Sequence, residues 1–214
     1  MTRPDLTHLY FLLDRSGSMQ SIKADTEGGF AAFIDEQRSS QSGDCRVTLA
    51  QFDDGYELVY AAMPLASVPP LQLAPRGRTA LLDAMGRLIT DAGEELAALP
   101  DDQRPGTVVV AVMTDGMENA STEWTHPAIK ALVEQQTNTY RWQFLYMGAD
   151  QDAIEVGASL GVGRDHSVTY GRGKAREAMA ATSAKVAGLR AARVVNPVAM
   201  AAAYSDAERD ELTR

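Results

Sequence analysis

"FLLDRSGSM" (residues 11–19) passes from apolar to polar within a few positions. The run Leu9–Leu13 leads straight into Asp14, and Ser16, Gly17 and Ser18 follow immediately after Arg15. A strand that is apolar on consecutive positions is buried on both faces, and this one ends on a carboxylate followed by two hydroxyls at alternate positions. Two readings are open at this point. The stretch is either a strand end followed by a helix cap, or the first part of a metal site, and the rest of the chain has to decide.

Two further runs share the continuous apolar pattern, "VVVAVM" (108–113) and "FLYM" (144–147). Such runs fit the central strands of a parallel sheet covered by helices. "RVTLAQFDD" (46–54) and "YELVYAAM" (56–63) predict a weaker pair joined by a turn at Asp54 and Gly55. So short a connection makes the pair antiparallel, because a parallel return needs a crossover of about a dozen residues. "SVTY" (167–170) predicts a last short strand. Helices are expected at 19–38, with Gly28 and Gly29 softening the middle, at 79–99 opened by Thr79 as N-cap, at 126–136, at 153–161, and at about 174–193. "SDAE" (205–208) has the pattern of a capping box before one final short helix. Strands alternating with helices give an α/β class: a Rossmann-like, open, mainly parallel six-stranded sheet with one antiparallel edge strand and helices on both faces. The expected organisation is one domain over 1–170 with a helical extension, 171–214, packed on the same domain.

The chain has 214 residues, 45% apolar and 23% charged, which is the profile of a globular protein with a full core. Its 29 acidic residues outnumber 20 basic ones, for a net charge of −9, so neither nucleic acid nor an anionic membrane is an expected partner. A single cysteine, Cys45, rules out an internal disulfide and reads as a small core residue. The N-terminal "MTRPDLTHLY" has no apolar signal region, which points to a cytoplasmic protein.

In open α/β sheets, ligands bind beyond the carboxyl ends of the strands, where the winding direction reverses. Both central strands close there on an aspartate: Asp14 in the first, and Asp115 in "MTDGMEN". The helix at 79 begins after "PRGR", bringing the Thr79 hydroxyl to the same edge. Asp14, Ser16, Ser18, Thr79 and Asp115 thus form an all-oxygen set, which suits Mg²⁺ or Mn²⁺, and Ca²⁺ less well. Zinc is not expected, since His8, His126 and His166 stand apart from one another. Three neutral hydroxyls among five donors leave the ion only partly neutralised, and therefore able to attract a carboxylate from outside.

"DRSGS", "GRTAL" and "TDG", in this order on these elements, resemble the von Willebrand factor type A domain over about residues 6–170. By that resemblance Asp14, Ser16 and Ser18 form the first loop of a metal-ion-dependent adhesion site, Thr79 the second and Asp115 the third, with no position of the motif missing. It implies a non-enzymatic module of the bacterial or phage intracellular kind, gripping an Asp or Glu of a partner protein through the ion. Two other functions remain in play. A metal-dependent phosphoester hydrolase would need a base near the ion, and Ser16 stands where a second aspartate of such enzymes would be expected. A structural subunit that leaves the motif unused is the third, with the Ala-rich helix at 174–193 as its contact surface. Arg76, Arg78, Asp53 and Asp54 read as loop and turn residues, and Trp124 and Trp142 as packing residues.

Overall fold

The computed structural model describes residues 2–40, 42–150 and 152–214. Six strands form one sheet in the order β3-β2-β1-β4-β5-β6. They are β1 (Arg3–Asp14), β2 (Asp44–Phe52), β3 (Tyr56–Pro64), β4 (Pro105–Thr114), β5 (Gln143–Ala149) and β6 (Ser167–Tyr170). All neighbouring pairs are parallel except β2–β3. The expected mainly parallel sheet with its one antiparallel edge is therefore the sheet observed.

Side chains alternate across β1 into two cores. Leu9, Phe11 and Leu13 join one, and Tyr10 and Leu12 the other. Helices α1 (Lys23–Ser39) and α5 (Ala175–Val195) cover the first face, where Phe11 meets Phe30 and Phe33 edge-on at 5.1 and 4.8 Å. On the second face lie α2 (Leu81–Ala98), α3 (His126–Tyr140) and the short α4 (Ala153–Ser159). Helix α6 (Asp206–Thr213) closes the chain, capped by the Ser205–Glu208 capping box. Among the described residues no helix is long and apolar enough to cross a membrane.

Three expectations need correction. A single helix over 19–38 is in fact a short 3₁₀ turn at Gly17–Ser21 followed by α1. Gly28 and Gly29 do not soften α1; they let α5 approach closely, since a Cβ on Gly29 would lie 3.0–3.2 Å from Arg176 and Met179. Nor does Thr79 cap α2: the helix begins at Leu81, its N-cap is Ala80, and no side chain of the cap residue bonds its amides.

β1 also carries a buried histidine. His8 is stacked on Tyr10 at 4.0 Å, with its Nε2 2.8 Å from Thr48 Oγ1 and its Nδ1 3.1 Å from the Tyr10 hydroxyl. Burial and the nearby Arg46 push its pKa from 6.5 down to about 3. His8 therefore stays neutral in the folded state while the unfolded chain takes up a proton below about pH 6.5. The stability this neutral form confers is complete above that pH and is lost as pH falls toward 3, at up to about 1.4 kcal/mol per pH unit. In urea titrations between pH 7 and 4, His8→Asn should flatten the acid limb. Parallel wild-type and variant curves would exclude this account.

Candidate metal centre

The parallel register carries β1 and β4 to the same edge. Leu13 pairs with Met113, so Asp14 and Thr114 end the two strands side by side. The chain winds outward from β1 through β2 to β3 and then returns to β4, making β1/β4 the point of reversal.

Asp14 is fully buried, and its partners are a hydroxyl and an amide rather than a cation. Thr114 Oγ1 donates to its Oδ2 at 2.6 Å, and the Ser16 amide donates to its Oδ1 at 2.6 Å. Burial raises its pKa to about 6, against the opposing pull of those two bonds. The Ser16 and Ser18 hydroxyls are 3.0 Å apart, and Ser18 Oγ donates to Asp115 Oδ1 at 2.5 Å. Asp115 Oδ2 is buried without a hydrogen-bond partner. Burial also raises the Asp115 carboxyl, partly offset by Ser18. Thr79 closes the group from the second loop: a Cβ on Gly116 would lie 2.8 Å from its Oγ1 and 3.7 Å from Asp14 Oδ2. Only glycine at 116 allows that approach.

The five residues singled out in the sequence are thus brought together. Ser16, Thr79 and Asp115 are also buried, while Ser18 is exposed and forms the lip. Among the described residues, no three His, Cys, Asp or Glu side chains gather closely enough to hold an ion. Any cation bound here would have to draw on hydroxyls. The donors present, two carboxylates and three hydroxyls with one carboxylate oxygen unpartnered, fit a hard divalent ion.

The sequence reading missed the residues that hold these loops in place. Asp53, read as a turn residue, is buried. Its Oδ1 accepts the Gly55 amide at 2.8 Å, as a turn aspartate does. Its Oδ2 also accepts Arg15 Nε at 3.0 Å and Arg76 Nε at 2.8 Å, and its carbonyl accepts the Ala80 amide at 2.8 Å. Burial pushes its carboxyl up, but the bonds from Arg76, the Gly55 amide and Arg15 outweigh that and hold it below the ordinary value. Arg15 also pairs with Glu57. One aspartate on the β2–β3 turn therefore ties the loop after β1 to the loop before α2. Arg76, expected to be a solvated loop charge, is one of its partners.

The third loop fixes the second from the other side. Asn119 Oδ1 accepts the Thr79 amide at 3.0 Å, and the Asn119 amide donates to the Thr79 carbonyl at 3.0 Å. Glu118 accepts the Leu82 amide at 2.9 Å and so caps α2 from 36 residues away in sequence. In return, Asp83 of α2 accepts the amides of Thr122, Glu123 and Trp124 at 2.8–2.9 Å.

With this geometry described, known proteins can be compared. No protein-family model matches the sequence, and no curated protein matches it. Solved structures do. A von Willebrand factor type A protein from Catenulispora acidiphila superposes with a TM-score of 0.57 at 15% identity, over 85% of this chain and 43% of that one. The fold is that of the von Willebrand factor type A domain. Proximal thread matrix protein 1 from the mussel byssus, with a zinc-occupied MIDAS motif, gives a TM-score of 0.55 at 12% identity, over 83% and 46%. The corresponding domain of the type V pili tip protein Mfa5 from Porphyromonas gingivalis gives 0.58 at 10%, over 84% and 94%. The chain spans less than half the length of the first two. At these identities the likeness concerns this von Willebrand factor type A fold alone.

The Asp53 hub yields a stability prediction. Asp53→Ala leaves the guanidinium of Arg15, itself buried, with only Glu57, which is half exposed. The expected loss of unfolding free energy in urea is about 2–3 kcal/mol, the low side for a broken buried pair because Arg76 lies in water. An unchanged midpoint would mean that the turn holds the loops without the ion pairs.

Proposed function

We propose that this chain is a non-enzymatic, metal-dependent protein-binding module. Asp14, Ser16, Ser18, Thr79 and Asp115 would hold a divalent cation, and a partner protein would complete the shell with an Asp or Glu side chain. The single observation that supports this best is the joined group Ser16–Ser18–Asp115 beside Asp14, with Asp115 Oδ2 buried and unpartnered. When bound, the ion supplies a positive centre that a carboxylate can reach.

The chain's own residues do the remaining work. Thr114 and the Ser16 amide fix both oxygens of Asp14, so that carboxylate cannot swing outward. Asn119 fixes the Thr79 backbone through its amide, and Gly116, having no side chain, leaves room for the Thr79 hydroxyl. The exposed Ser18 leaves the approach open on the solvent side. Mg²⁺ and Mn²⁺ suit the hydroxyl-rich donor set. Zinc in the MIDAS motif of the mussel protein makes Zn²⁺ an ion to include beside them. A cytoplasmic location, and residues 171–214 as an extension of the same domain, belong to this reading too.

Two linked measurements test it. Calorimetric titration with Mg²⁺, Mn²⁺ and Zn²⁺ should give one saturable site in the wild type and none in Asp14→Ala. Capture from a lysate of the source organism should then retain a partner in the presence of the binding ion, and lose it in EDTA or with Asp14→Ala. Wild-type protein that takes up none of these ions would overturn the metal site. A partner retained equally in EDTA would overturn metal-bridged recognition.

A further inference from the structure

At the N-terminal ends of β1 and β4, the pole opposite Asp14 and Asp115, a cavity of about 620 Å³ opens between the C-terminal halves of α2 and α3. That volume falls in the range of small-molecule sites. Ile89, Leu96, Val108 and Leu132 give it apolar walls. Space exists because α2 presents Gly93 and Ala97 here; a Cβ on Gly93 would meet only Gln136 Nε2, at 3.8 Å.

The polar groups lining this cavity differ in whether their bonds are already made. Trp142, 4% exposed and held between Tyr10 and Phe144, forms part of the wall. Gln136, 8% exposed, lines the same wall. Charge is divided unevenly. Arg104 is spent: its Nε and Nη2 donate to the Leu96 and Ala97 carbonyls at 2.9 and 2.8 Å, and Nη1 pairs with Asp101 at 2.9 Å. Glu94, exposed at the mouth, has no ion pair among the described residues, and the exposed Tyr140 ring lines the same opening.

We propose that this cavity binds a small amphipathic amine. Its apolar body lies against Trp142 and the aliphatic walls, and its ammonium sits at the mouth beside Glu94 and Tyr140. An anion would meet the exposed carboxylate, and among the described residues lining the cavity the one cation, Arg104, is already bonded, whereas an ammonium gains both the carboxylate and an aromatic face. Binding here is independent of the metal centre.

The probe is 4-phenylbutylamine, titrated calorimetrically into the full chain in EDTA, with 4-phenylbutyrate as the oppositely charged analogue. The amine is expected to saturate a single site and to shift Trp142 emission. Glu94→Gln should weaken it by about three- to fivefold. Gly93→Leu, which fills the cavity, should abolish binding; Ala97→Leu serves the same purpose should the first variant fail to fold. The butyrate should bind more weakly than the amine. No saturable amine binding, binding that survives both filling variants, or equal affinity for the butyrate would each overturn the assignment.

Discussion

A carboxylate buried at the end of a central strand sets the terms for this molecule. Moving a carboxylate out of water costs several kcal/mol unless its oxygens are met. At Asp14 they are met by one hydroxyl and one amide, which offset part of the cost and leave the charge where it is. The remainder shows in the pKa raised to about 6. Both partners depend on the fold around them. Thr114 is in reach only because β4 lies beside β1 in one particular register, and the Ser16 amide only because the chain turns immediately after Arg15. A slip of one residue in the β1–β4 register would move every side chain of the strand to the opposite face and separate Asp14 from Thr114.

Around this carboxylate the three loops support one another in a closed circuit. Asp53 joins the first loop to the second through Arg15 and Arg76, Asn119 and Glu118 join the third to the second, and Ser18 joins the first to the third through Asp115. The Arg15–Asp53 link is buried and the others are part-buried, and where such a contact is shielded from water an unmade bond costs more than a made one returns. Loops that would otherwise move independently are thereby held to one arrangement. That rigidity is what a site of mixed hydroxyls and carboxylates requires, since hydroxyls are weak donors and serve an ion only when already in place.

Much of this was legible in the sequence, for a physical reason. Continuous apolar runs can be buried only on both faces, so the parallel sheet, its one hairpin and its strand ends followed from local pattern. The five oxygen-bearing residues sit at those strand ends and could be picked out with them. What was not legible is the set of contacts between positions far apart in the chain. Thr79 before an apolar helix has the local form of an N-cap, yet Glu118, 36 residues beyond Leu82, caps the helix instead. Asp53 beside Gly55 has the form of a turn aspartate and is one, but its second oxygen gathers two arginines that nothing in its own neighbourhood announces. β1 runs on through the polar "RPDLT" because Arg3 pairs with Pro105 of β4, Leu6 with Asp44 of β2, and Thr7 with both neighbours, a tertiary effect that outweighs composition.

Helix α2 is where the two ends of the molecule meet. Its first turn is fixed by Glu118 and, through Asp83, by the loop that follows β4, all beside Asp14 and Asp115. Its last two turns, around Gly93 and Ala97, are where the packing opens into the cavity. The helix is thus bonded at one end by Glu118 and Asp83 and at the other by Arg104, with an apolar stripe from Leu81 to Leu96 joining them through the core. The dense bonding at the N-terminus of α2 therefore does two things at once. It positions Thr79, and it ties the start of the helix to the loop that follows Asp115.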